Sequence, residues 1–211
     1  MIYIISFPKS GRTWFRKIIE TYESRTNIQA RKHKFTHIGY GYAPDRKEIR
    51  ELQYHARNKV ILLSRDPADT FVSYYHDYLK RGPLEFVGTI DEFCLGKIND
   101  FNKYVNDLSK YTLDYCLTYE QMIDDTKKAV LPVFEMLFEE VDEEALDYAV
   151  DFCGFKNLYL LERSGKIDMR TGGVEGYRKT RKGKVGSSIE ELKSDTIQEI
   201  RTRVKSYVPT R

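Results

Sequence analysis

The chain has 211 residues, 41% of them hydrophobic, and 35 Lys and Arg against 32 Asp and Glu, a formal net charge of +3. That length buries one sizeable core and is short for two, so a single domain over 1–211 is expected. A surplus this small excludes a general nucleic-acid or membrane-coating surface. The three cysteines, Cys94, Cys116 and Cys153, are widely spaced and show no CxxC or Cys/His pattern. They exclude a disulfide framework and a zinc site, so no metal is expected and a reducing compartment is. No apolar stretch approaches the roughly 18 residues of a membrane span. With no basic leader ahead of Ile2, the expectation is a cytoplasmic protein without a membrane span.

Ile2, Tyr3, Ile4 and Ile5 form a continuous apolar run that suits a strand buried on both faces. Trp14, Phe15, Ile18, Ile19 and Tyr22 recur at helical spacing, predicting a helix over 11–22 that opens after the turn Phe7-Pro8-Lys9-Ser10. The same unit returns at Val60, Ile61, Leu62 and Leu63, where Asp66 is the expected N-cap and Pro67 the first helical residue. That helix runs to about 79, with Phe71, Val72, Tyr75, Tyr78 and Leu79 as its buried stripe and Arg81-Gly82-Pro83 as its stop. A third apolar run lies at 111–118, followed by helical patterns at 126–138, 143–152 and 195–207. Such alternation implies an α/β fold, a mostly parallel sheet flanked by helices. The glycine-containing stretch 165–186 reads as a loop that orders on ligand binding. It gathers Lys166, Arg170, Arg178, Lys179, Arg181, Lys182 and Lys184 against Asp168 and Glu175, a local excess suited to a highly charged anion.

Four segments carry chemistry. Phe7-Pro8-Lys9-Ser10-Gly11-Arg12-Thr13-Trp14 places successive backbone N–H groups and a helix N-terminus around one point, where Lys9 adds a full positive charge. A nucleotide kinase needs GxxxxGK[ST], with Lys after the glycine; here Lys9 precedes Gly11. Taken by itself, the turn is equally an ordinary strand-to-helix connection with a solvated lysine. Further on, Arg65 stands at the carboxyl end of a strand and Ser73 about two turns into the next helix, so both reach one anion at the sheet edge. The competing reading is a surface ion pair of Arg65 with Asp66 or Asp69 and a solvent-facing Ser73. Arg181-Lys182-Gly183-Lys184-Val185-Gly186 is by composition a solvated basic run. Tyr119, in Thr118-Tyr119-Glu120-Gln121-Met122, is one of 16 tyrosines and would otherwise be core.

In this order the four segments resemble the cytosolic-type sulfotransferases that use 3′-phosphoadenosine-5′-phosphosulfate (PAPS), a family without a metal whose fold is related to P-loop kinases. Its first loop reads approximately Tyr-Pro-Lys-Ser-Gly-Thr-Thr-Trp, and this chain departs from it at Phe7 and Arg12. The resemblance implies that Lys9 contacts the bridging oxygen of the leaving phosphate, that Ser10, Gly11, Arg12 and Thr13 cradle the 5′-phosphate, and that Trp14 packs on the adenine. It implies that Arg65 and Ser73 bind the 3′-phosphate, that Arg181, Lys182 and Gly183 close over it, and that Tyr119 lies near the adenine. Where many members continue Asp-Trp-Lys after the late loop, this chain has Ser187-Ser188-Ile189. The implied fold is a P-loop-NTPase-like single domain. The implied reaction is in-line transfer of a sulfuryl group from PAPS to an acceptor hydroxyl or amine, releasing 3′-phosphoadenosine 5′-phosphate (PAP).

Such a transfer needs a base, and histidine suits the role at neutral pH. The four candidates are His33, His37, His55 and His76. Phe35-Thr36-His37-Ile38 is similar to the family's Lys-Thr-His-Leu strand, which implies His37 as the base, although Phe35 replaces the lysine. His33 lies in a solvated basic run, and His76 either lines or supports the acceptor pocket. Tyr40, Tyr42, Tyr54, Phe86, Phe93 and Tyr104 are candidates for an apolar or sugar-stacking wall, against ordinary packing. A small-molecule, glycan or lipid acceptor fits, and neither acceptor nor oligomeric state is specified by these residues. The competing readings are a P-loop-type small-molecule kinase, a nucleotide-binding module without catalysis, and a basic RNA-binding protein, the last lacking interleaved aromatics.

Overall fold

The computed structural model describes residues 1–36, 58–81, 86–167, 169 and 178–205. Among them the strands are β1 (Ile2–Ser6), β2 (His33–Thr36), β3 (Lys59–Ser64) and β4 (Tyr115–Thr118), in the order β2-β1-β3-β4 with every pairing parallel. Ile4 sits between Phe35 of β2 and Ile61 of β3. The helices are α1 (Arg12–Thr26), α2 (Pro67–Arg81), α3 (Ile90–Gly96), α4 (Ile98–Leu108), α5 (Tyr119–Asp124), α6 (Thr126–Leu137), α7 (Glu143–Phe152), α8 (Phe155–Arg163), α9 (Ser187–Glu191) and α10 (Ser194–Arg203).

Strand side chains alternate between the two faces of a sheet, and each face here has its own core. Ile2, Ile4, Ile61, Leu63 and Leu117 pack with Phe15, Ile18 and Tyr22 of α1, Phe134 of α6 and Leu158 of α8. On the other face Tyr3, Ile5, Val60 and Leu62 meet Phe71 and Val72 of α2, Phe93 of α3, Leu108 of α4 and Ile200 of α10. A sheet covered on both sides explains the uninterrupted apolar strands. The chain leaves β1 for β2 on one side and returns to β3 on the other, so the strand order reverses between β1 and β3. In open α/β sheets ligands bind outside the carboxyl ends of the strands at that reversal. The ends in question carry Lys9 and Arg65.

Several boundaries differ from expectation. α1 begins at Arg12, with Gly11 as a left-handed N-cap, and continues to Thr26, where Asn27 at φ 57 stops it. The third apolar run is a strand only over Tyr115–Thr118. Just before it, Asp114 pairs with Val60 through its own N–H (2.8 Å) and through its carboxylate (2.7 Å), replacing the backbone ladder by a side chain. α3 and α5 each open on a reciprocal capping box, Thr89 with Glu92 and Thr118 with Gln121, a signature present in the sequence and not used above. The final helix gives way to extended backbone at Val204. Cys94 and Cys153 are buried, and burial pushes their thiols up to about 12 and about 11. Among the described residues no helix is long and apolar enough to cross a membrane.

Candidate functional site

After β1 the backbone turns sharply. Lys9 at φ 73 and Gly11 at φ 94 both adopt the left-handed region. For lysine that conformation costs about 1–3 kcal/mol, a strain that recurs at ligand clamps. At Gly11 a side chain would also strike the Tyr119 ring, whose Cδ2 lies 2.8 Å from a Cβ placed there. The turn feeds into α1 at Arg12 with no acidic residue in the first helical turn. The positive end of the helix dipole, Lys9 and Arg12 therefore gather at one place, an arrangement that favours an anion.

Arg65 follows β3 and binds the site together. Its side chain is 8% exposed. Nη1 donates to the Lys9 carbonyl at 3.4 Å and Nη2 to the Lys184 carbonyl at 3.2 Å. The guanidinium carbon lies 4.2 Å from the centroid of the Tyr119 ring. The ion pair with Asp69 exists, at 3.7 Å, but it is buried and not a surface pair. Arg65 Nε is buried and finds no hydrogen-bond partner among the described residues.

Two buried carboxylates hold the late loop. Asp69 of α2, 1% exposed, accepts from Gly186 N (2.7 Å), Ser188 N (2.8 Å) and Ser187 Oγ (3.4 Å). Glu162 of α8, 3% exposed, accepts from Lys179 N (2.7 Å), Thr180 N (2.9 Å) and Thr180 Oγ1 (2.6 Å). Sequence reasoning missed both roles. In the sequence Asp69 figures only as a possible surface partner of Arg65, and Glu162 carries no local pattern that sets it apart from a surface charge.

Most of the expected residues meet in one cleft with a volume of about 220 Å³. Lys9, Gly11, Arg12, Thr13 and Trp14 line it from the first loop, Arg65, Ser73 and Tyr119 from the centre, and Arg181, Lys182 and Gly183 from the late loop. Ser10 is the exception: it is buried and lines a separate cavity of about 320 Å³. Trp14 donates its indole N–H to the Cys153 carbonyl at 2.9 Å and stands edge-on to Tyr119 at 5.7 Å. Phe155, Leu158 and Met169 add an apolar wall that sequence reasoning did not assign. Gly183 packs so tightly under Phe155 that an added Cβ would lie 2.0 Å from the ring.

The cations of the cleft are met by carboxylates. Asp77 of α2, 6% exposed, lies 2.8 Å from Lys9 Nζ and 3.7 Å from Lys179 Nζ. Glu191 of α9 pairs with Arg181 and Lys182, both at 2.7 Å, and with His76 Nε2 at 2.5 Å. Burial pushes the Glu191 carboxyl up, but hydrogen bonds from Lys182, His76 and Arg181 outweigh it and hold the group at about 2. Glu190 pairs with Lys182 at 3.0 Å and with Lys184. Burial pushes the Tyr119 hydroxyl above its ordinary value.

The histidines separate. His76 is a partner of Glu191, and His33 Nδ1 lies 3.1 Å from the Arg31 carbonyl. His37 and His55 lie outside the described residues, as do Tyr40, Tyr42 and Tyr54. Phe93 and Tyr104 are buried core, and Phe86 packs against Phe93 at 5.2 Å, so these three follow the ordinary-packing reading. The assembled cleft suits a ligand with several anionic oxygens and one flat apolar ring.

Comparison with known proteins shows the family and the fold. Rat sulfotransferase 1C2 (Rattus norvegicus) is 24% identical over 192 residues, covering 74% of this chain and 65% of the relative. Cytosolic sulfotransferase 6 of Arabidopsis thaliana is 27% identical over 146 residues, 61% of this chain and 44% of the relative. The chain thus spans about half to two thirds of the length of these curated relatives. The crystal structure of mouse sulfotransferase SULT7A1 complexed with PAP superposes with a TM-score of 0.69 at 21% identity, over 95% of this chain and 81% of that one. A retinol dehydratase crystallised with androsterone and inactive cofactor PAP gives the same TM-score at 13% identity, over 95% and 78%. The family model described as "Sulfotransferase domain" matches residues 1–208, and the chain accordingly belongs to the sulfotransferase domain family.

Proposed function

We propose that this protein transfers a sulfuryl group from PAPS to a hydroxyl or amine of a small-molecule, glycan or lipid acceptor. The observation that carries the reading is Arg65, a buried guanidinium tied to both the first loop and the late loop, with Nε left without a partner among the described residues. Asp69 meets the guanidinium at Nη2, and the buried Nε still calls for an acceptor, which a phosphate oxygen supplies. PAPS supplies the activated sulfuryl group, and the residues around it have distinct tasks. Gly11, Arg12 and Thr13, with the α1 N-terminus, hold the 5′-phosphate; Ser10 contributes through its backbone, since its side chain is buried elsewhere. Arg65, Ser73, Arg181, Lys182 and the Gly183 amide hold the 3′-phosphate. Trp14 and Tyr119 flank the adenine.

In the transfer step the acceptor oxygen forms a bond to sulfur as the bond from sulfur to the bridging oxygen breaks. The electron pair stays on that oxygen as part of PAP, where Lys9 stabilises the charge. The acceptor proton passes to His37. Bound product leaves with both phosphates, which must be released from the cations of the late loop.

The test is calorimetric titration of the protein with PAP, with ATP and magnesium as comparison and Arg65→Ala as control. Tight PAP binding lost in Arg65→Ala is expected. Binding of ATP with magnesium alone would replace this reading by a kinase. PAP binding without any transfer that depends on His37 would leave a nucleotide-binding module.

A further inference from the structure

Lys9 is the cation proposed above for the leaving group, yet its ammonium lies against a carboxylate. Nζ is 2.8 Å from Asp77 Oδ1, and Asp77 is 6% exposed and lines the same cleft. Asp77 stands four residues after Ser73 on α2, so the two share a helix face and point into the cleft together. Lys179 Nζ lies 3.7 Å from the same oxygen, and its backbone N–H is fastened to Glu162. The backbone of Lys9 is left-handed, at φ 73, which fixes the direction in which the side chain leaves the loop. The Asp77 carboxylate and the proposed donor site therefore both lie on the cleft that Lys9 lines.

We infer that Asp77 is a positioning residue for transfer, which holds Lys9 at the mouth of the donor site and competes with the donor for its ammonium. This rests on the donor reading proposed above. A carboxylate at hydrogen-bond distance fixes where the ammonium points. It also keeps Lys9 from settling fully on the donor or on PAP, so that its charge is given over when the bridging oxygen becomes negative. Stabilisation that grows between ground state and transition state raises kcat; stabilisation present throughout only tightens binding.

The distinguishing substitution is Asp77→Asn, which keeps shape and a hydrogen-bond acceptor for Lys9 while removing the charge. PAP affinity is expected to rise about tenfold by titration, and KM for PAPS and kcat are expected to fall together. Asp77→Glu, which keeps the charge, should stay within about threefold of the parent in PAP affinity. In a Lys9→Met background the tightening by Asp77→Asn should shrink severalfold, to the part contributed by Lys179, the other cation on the same oxygen. Should the amide fail to pack, Asp77→Ser carries the same expectations. A lowered melting temperature with unchanged PAP affinity and unchanged KM would make the pair purely structural and overturn the inference. Failure of the parent protein to bind PAP would instead overturn the donor reading itself, a result seen before any Asp77 variant is made.

Discussion

Single residues in this cleft do more than one job, and Gly183 shows how that limits substitution. The family resemblance assigns it a backbone N–H toward phosphate. Its surroundings add a left-handed φ of 59 and the Phe155 ring lying where a side chain would be. Gly183→Ala is therefore expected to cost about 1–3 kcal/mol of stability. For a chain of this size that lowers the melting temperature by several degrees, and PAP affinity should fall with it. Lys9, Gly11, Arg65 and Ser73 were legible because their meaning lies in short spacings within one strand-loop-helix unit. The carboxylates were not. Asp77 meets Lys9 across 68 residues and Glu191 meets His76 across 115, and no local pattern in the sequence ties such partners together.

At the scale of elements, long apolar runs and striped helices were read in their places, except that Leu79, expected in the buried stripe of α2, is 44% exposed on its last turn; shorter pieces escaped. α3 and α4 follow one another with only Lys97 between them, and the stripe of α4, Ile98, Phe101, Tyr104, Val105 and Leu108 at helical spacing, was present in the sequence and not used above. α9 has only five residues, and its place in the site comes from Glu190 and Glu191 rather than from an apolar face. Because α9 is held to the late loop and to α2 by Glu191, its attachment should depend on pH in a definite direction. The Glu191 carboxyl titrates at about 2 in the folded protein against a usual 4.5. Its contribution to stability is then fully present above about 4.5 and disappears as pH falls toward 2. Melting curves of the parent protein and Glu191→Gln should be separated at neutral pH and converge over that acidic window. A separation that persists unchanged to pH 2 would contradict the assignment.

For the whole molecule, the alternation of strands and helices pointed to a parallel sheet covered on both faces. The strand order could not be read the same way. It depends on which side of β1 each connection returns, and that choice is made by packing between residues distant in the chain, such as Phe15 with Phe134 or Phe7 with Phe101. The cleft exists because the reversal between β1 and β3 brings two loops side by side. Its basic loop, by contrast, was visible as a charge cluster, although composition alone does not separate a phosphate clamp from a solvated run.

The loop from Lys179 to Ser188 spans the carboxyl edge of the sheet from one layer to the other, tied to Glu162 of α8 at one end and to Asp69 of α2 at the other. The two anchoring helices pack into different cores, α8 through Leu158 and α2 through Phe71 and Val72. Deuterium uptake should therefore report on the layers separately. The amides of Lys179 and Thr180 should exchange at the opening rate of the α8 side, and those of Gly186 and Ser188 at the rate of the α2 side. Asp69→Asn should release only the second pair, whereas PAP bound at the proposed site should slow all four and bring their rates together.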